Sequence, residues 1–197
     1  VSVREFSGVT LCKDYFGVNA VHMIDPTMLL TKDHYMSLIQ NGDVSLSEGD
    51  LMTYILDPNA KIKSYINKFA TCNGLATFKT GLRYEDSDDV PIDERIPPKV
   101  EHWLRGFCDA KVVITDSFHA CVFSIIFNKP FIVIGNKQRG FSRFESLLSM
   151  FHLEKCLIEI NDLNALEIPH VEWNRVNQIL EGKRKAAFDY LNMNLKK

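Results

Sequence analysis

Between residues 51 and 82 an apolar run, a capping pair, an amphipathic stripe, a glycine and a second apolar run follow one another. The run LMTYIL at 51–56 suits a strand buried on both faces. Asp57 and Pro58 read as a helix cap and a first-turn proline. Ile62, Tyr65, Ile66 and Phe69 recur at i, i+3, i+4 and i+7, which draws one apolar stripe along a helix, and Gly74 supplies its stop. Residues 75–82 are the next strand candidate. Strand, cap, helix, glycine and strand make a crossover unit, and a crossover of that length joins parallel strands.

The same order returns after residue 99. Val100, Trp103, Leu104 and Phe107 form a helical stripe, residues 111–116 (KVVITD) a buried strand, 117–128 a short helix, and 131–134 (FIVI) a second uninterrupted apolar strand ending at Gly135. Ser142 and Glu145 have capping-box spacing for a helix over 143–151. Residues 155–160 read as a last strand. Residues 171–197 read as one long helix that lays Val176, Ile179, Leu180, Ala187 and Leu191 against the sheet. Upstream, residues 1–6 and 18–24 read as strands around a short helix capped by Ser7 and ended by Gly17. The expectation is an α/β fold, a Rossmann-like parallel sheet with helices on both faces, in one domain spanning 1–197. No internal repeat or low-complexity tract competes with that reading.

Composition narrows the function classes. With 46% hydrophobic residues and a net charge of -2 over 197 residues, the chain can bury a large core. It lacks the lysine and arginine excess of a general nucleic-acid binder. No stretch approaches the roughly 18 apolar residues of a membrane span and no charged-then-apolar leader opens the sequence, so a soluble, cytoplasmic protein without an integral membrane segment is expected. Five scattered cysteines with no CxxC pair suggest neither a disulfide framework nor a zinc site, and most are expected to be buried. The acidic, proline-broken segment 83–98 reads as a surface loop. Its carboxylates lie on no regular element that would converge them on a metal, so a solvated loop is favoured over chelation. The chain opens at Val1, without methionine, on a segment already strand-like, which reads as a piece of something longer.

In open parallel sheets ligands bind beyond the C-terminal ends of the strands. There the sequence VITDSFH at 113–119 runs a buried strand straight into a helix, placing Asp116, Ser117 and His119 in the turn and first helical turn. A helix start presents unpaired N–H groups and roughly half a positive charge, a ready seat for a phosphate or carboxylate. From the residues alone two readings stand: Asp116 or Ser117 is an N-cap and His119 a hydrogen-bonded structural residue, or the three form an anion site with His119 reaching the ligand.

Four segments carry a resemblance that bears on this choice. Asp116-Ser117-Phe118-His119-Ala120, Ser2-Val3-Arg4-Glu5, Asp25-Pro26-Thr27 through Leu30, and Arg139-Gly140-Phe141-Ser142-Arg143-Phe144 resemble, in order, segments of the polysaccharide pyruvyl transferase family. Together they cover nearly all of this chain and about half of the family's usual length. The resemblance implies a two-halved fold like that of GT-B glycosyltransferases, with this chain as the C-terminal Rossmann-like half and the N-terminal half absent. It implies transfer of a pyruvyl group from phosphoenolpyruvate to a glycan or lipid-linked sugar, leaving a ketal. It further implies His119 as the proton-transfer residue, with Arg4, Asp116, Ser117, Arg139 and Arg143 around the substrate, and no metal or cofactor. A homo-oligomer is compatible with it. One departure stands out: several family members have an arginine two residues before the histidine, where this chain has Ser117, so either the donor contact is made differently, with Arg4, Arg139 and Arg143 as the available replacements, or the donor differs. Arg4, read as mid-strand, is the first choice because a charge there is costly to bury unless paired, which favours service to an anion over a place in the core. Arg139 is balanced between that role and an idle loop residue, and Arg143 leans towards a surface ion pair. The competing readings are a GT-B-type half that binds a nucleotide sugar and a non-catalytic sugar- or anion-binding module.

Overall fold

A computed structural model of the chain describes residues 1–80, 98–135 and 140–195. Strand β1 (Ser2–Val3), helix α1 (Phe6–Phe16) and strand β2 (Val21–His22) come first, with β1 and β2 paired in parallel as a small sheet of their own. A 3-10 turn (Pro26–Leu29) and helix α2 (Lys32–Asn41) lead to β3 (Leu51–Tyr54), α3 (Ala60–Asn73) and β4 (Thr77–Lys79). Then follow α4 (Val100–Asp109), β5 (Val112–Thr115), α5 (Phe118–Ile126), β6 (Phe131–Gly135), α6 (Phe141–Phe151), β7 (Leu157–Glu159) and α7 (Trp173–Leu195). The main sheet has the order β4-β3-β5-β6-β7, and each neighbouring pair is parallel.

Both faces of that sheet are covered, as the uninterrupted apolar strands require. On one face Leu51, Val112, Ile114 and Ile132 pack with Ile62, Tyr65 and Phe69 of α3, so the predicted stripe faces the core. Gly74 ends α3 at φ 62, a left-handed geometry that costs glycine nothing. On the other face Met52, Val113, Phe131 and Val133 meet Tyr35 of α2, Phe107 of α4, Phe123 of α5 and Phe144 of α6. Helix α7 joins this face through Val176, Leu180 and Ala187, packing on α6 and on the 3-10 turn. The turn is held by Arg184, 8% exposed, which donates to the carbonyls of Met28 (2.7 Å) and Leu30 (2.7 Å) and pairs with Glu181.

Several local expectations are corrected. Helix α3 is capped by Asn59, whose side chain accepts from the Ile62 N–H at 3.0 Å, immediately after the Asp57-Pro58 pair. Helix α1 begins at Phe6, with Glu5 in the capping position instead of Ser7. The Ser142–Glu145 capping box does not form: α6 already begins at Phe141 after Gly140, and the Ser142 hydroxyl donates to Glu5 instead. Arg4 follows β1 and is not in its middle. Only Cys121 and Cys156 are fully buried; Cys12 and Cys108 are half-buried and Cys72 is exposed. Helix α2 carried a weak signal, because its two buried residues, Tyr35 and Ile39, are too few to draw a stripe. Most of the acidic segment 83–98 lies outside the described residues. Among the described residues no helix is long and apolar enough to cross a membrane.

Losing Arg184 leaves the buried Met28 carbonyl and the partly buried Leu30 carbonyl without their charged donor. The variant Arg184→Met is therefore expected to lose about 3 kcal/mol in urea denaturation, against less than about 0.5 kcal/mol for the exposed Arg175→Met. Equal losses in the two variants would remove Arg184 as the clamp on the turn.

Candidate active site

The strand order is that of a doubly wound sheet with its switch point between β3 and β5. Helix α3 leaves β3 for one face and α5 leaves β5 for the other, which opens a crevice between the two strand ends. Its floor is tied by hydrogen bonds. The Thr115 hydroxyl donates to the Tyr54 carbonyl at 2.6 Å and accepts from the Ser117 N–H at 2.9 Å. Asp116 reaches across the gap and accepts from the N–H groups of Leu56 (2.6 Å) and Asp57 (2.9 Å), one on each carboxylate oxygen. Burial pushes the Asp116 carboxyl above the ordinary range, a rise that these two N–H donors partly offset.

Ser117 is the N-cap of α5: its hydroxyl accepts from the Ala120 N–H at 3.4 Å and the residue is 6% exposed. Of the two capping candidates, the serine caps and the aspartate bridges. His119 stands in the first turn of α5 with 51% of its side chain exposed, and its Nε2 lies 3.8 Å from Oδ2 of Asp25. Beside it, the guanidinium carbons of Arg4 and Arg143 sit over the Phe118 ring at 4.7 Å and 5.9 Å from its centre.

A cleft of about 160 Å³ opens at this strand end, and Asp116, Ser117, His119 and Arg143 all line it. Four of the six residues singled out from the sequence thus share one cavity. Arg4 is not on its wall; it stands behind Phe118 and donates to Asp25 Oδ2 at 2.7 Å. Arg139 lies outside the described residues. Arg143 reaches the cleft because its chain folds back over Gly140, where Nε donates to the Gly140 carbonyl at 3.4 Å. Gly140 has φ 62, and a Cβ there would collide with the Arg143 guanidinium. His119 brings an imidazole and Arg143 a guanidinium to the cleft, while Asp57 and Asp116 bring carboxyl groups.

Sequence reasoning gave no role to Asp25, although it quoted the segment that contains it. Asp25 is 3% exposed and caps the 3-10 turn, taking the Thr27 N–H (3.0 Å) and hydroxyl (2.7 Å) on Oδ1. Its signal was a lone acidic residue closing a short strand before Pro-Thr, a pattern in which an aspartate binds its own backbone two residues on. Burial alone would raise its pKa. The Thr27 hydroxyl, the Arg4 guanidinium, the Thr27 N–H and His119 outweigh burial and hold the carboxyl below the ordinary range.

The fold and cleft define a doubly wound α/β protein with a histidine and an arginine lining a cleft at its switch point. A family model described as polysaccharide pyruvyl transferase matches residues 1–138, seven-tenths of the chain, and the protein belongs to that family. No curated protein matches the sequence. Membership places its chemistry, as a class, in pyruvyl transfer during polysaccharide synthesis.

Because the folded Asp25 value lies below the unfolded one, its contribution to stability is complete above the unfolded aspartate value, near about pH 4, and is lost as pH falls through the folded value. The stability gap between wild type and Asp25→Asn, followed by denaturant unfolding, is expected to be constant above about pH 5 and to close below about pH 4. A gap that stays unchanged down to acid unfolding would contradict an ionised, paired Asp25.

Proposed function

We propose that this domain transfers the pyruvyl group of phosphoenolpyruvate to two hydroxyls of a glycan or lipid-linked sugar, forming a cyclic ketal and releasing phosphate. In the reaction the enol methylene gains a proton, C2 becomes cationic, one hydroxyl adds to C2, the C2–O bond to phosphate breaks, and the second hydroxyl closes the ketal. One hydroxyl proton ends on the new methyl group and the other on phosphate, so no redox partner is needed.

The observation that carries this reading is an exposed imidazole at the positive end of α5 in the same small cleft as Arg143. An imidazole can give and take protons near neutral pH, which suits His119 to the proton delivery. Arg143 presents paired N–H donors to the carboxylate or phosphate of the donor, standing in for the arginine that Ser117 replaces. Ser117 and the start of α5 complete the anion seat, and Asp116 holds the loop that borders it. In this reading the domain is one wall of the catalytic cleft, facing a second α/β half.

In the catalytically complete protein, His119→Ala is expected to lower turnover about a hundredfold or more, measured as phosphate release from phosphoenolpyruvate with acceptor glycan, without a change in thermal midpoint. In thermal-shift assays phosphoenolpyruvate at a hundred times its Kd is expected to add about 2.7 kcal/mol, with no effect from UDP- or GDP-sugars. Phosphate release at the wild-type rate in the variant, or stabilisation by nucleotide sugars alone, would refute the proposal.

A further inference from the structure

Asp25 has two oxygens with two different sets of partners. Oδ1 is taken by the Thr27 N–H and hydroxyl and shapes the turn. Oδ2 accepts from Arg4 Nη1 at 2.7 Å and faces His119 Nε2 at 3.8 Å. The backbone around it is fixed from two directions: the Arg4 carbonyl is bridged to His22 Nε2 at 3.2 Å, and the turn is clamped by Arg184 of α7. A carboxylate that is 3% exposed and held in this way is a fixed negative point behind the imidazole.

We propose that Asp25 is a positioning residue, which through one oxygen sets the placement of Arg4 and the tautomer of His119. This goes deeper into the pyruvyl-transfer reading and rests on it for its catalytic consequence. A carboxylate opposite Nε2 favours the proton on that nitrogen, so Nδ1 is the nitrogen that exchanges protons with the substrate. The distance of 3.8 Å is that of an ion pair and exceeds a hydrogen bond, so the control is electrostatic in the unliganded site. Arg4, drawn to the same oxygen, is held over Phe118 and away from the cleft wall. Its charge keeps Asp25 ionised next to the histidine.

The division of labour between the oxygens makes the test specific. In Asp25→Asn the amide oxygen can still serve Thr27, while an NH2 group replaces the acceptor facing Arg4 and His119. Thr27→Val does the reverse, removing a donor to Oδ1 and leaving Oδ2 in place. Histidine-labelled protein is examined by long-range 1H–15N spectra, with the His119 signals assigned by their loss in His119→Ala. The wild type and Thr27→Val are expected to show the Nε2–H form, and Asp25→Asn to lose that preference. In the catalytically complete protein, kcat with phosphoenolpyruvate is expected to fall at least about tenfold in Asp25→Asn, with a smaller change in KM, and to stay within about threefold in Thr27→Val. Unchanged His119 signals in Asp25→Asn, or equal spectral and kinetic losses in Thr27→Val, would overturn the positioning role. Absence of phosphoenolpyruvate turnover in the wild type would instead sink the pyruvyl-transfer reading, and the spectra would still decide the role of Asp25.

Discussion

The cleft depends on the junction of β3 and β5, two adjacent parallel strands whose helices depart to opposite faces of the sheet. Such a divergence leaves backbone groups at the strand ends without strand partners, and each must be paired or wetted. Asp116 answers the donors of residues 56 and 57, and Thr115 answers the Tyr54 carbonyl. With these groups engaged, the start of α5 is fixed relative to the neighbouring strand, and the first-turn imidazole inherits that fixed position. Asp116 therefore shapes the seat even where it does not touch a ligand.

Charge around the site is arranged in two layers. His119 and Arg143 border the cleft directly, and Arg4 with Asp25 lies behind Phe118. The guanidinium groups of Arg4 and Arg143 both lie over the ring of Phe118. Burying a carboxylate as deeply as Asp25 is costly unless it is hydrogen-bonded and paired, and Thr27 and Arg4 together meet that demand. The C-terminal helix takes part from a distance, because Arg184 fixes the turn that Asp25 caps.

The central crossovers were legible in the sequence for a simple physical reason. Strands such as 112–115 and 131–135 are buried on both faces, so they appear as unbroken apolar runs, and the α3 stripe repeats with the helical period. The ends of elements were less legible, since Asp57-Pro58, Ser7 and Ser142-Glu145 all satisfy local capping rules, yet α3 is capped by the neighbouring Asn59 and the Ser142 hydroxyl is taken by Glu5. The separate pairing of β1 with β2 was not visible either, because two-residue strands carry no period. For the site, the strand-end rule pointed to Asp116, Ser117 and His119, which share one cleft with Arg143, a residue quoted only through the family resemblance and read as leaning towards a surface ion pair. It could not give Asp25 a role, because that residue meets His119 only through a contact 94 positions away in sequence. Long-range partners of this kind leave no periodic trace.

The most direct measurement is a crystal structure of this protein with phosphoenolpyruvate. The account requires the donor at the start of α5, its phosphate or carboxylate on Arg143 and its methylene within reach of the His119 ring. Donor bound elsewhere on the surface, with His119 and Arg143 untouched, would contradict it.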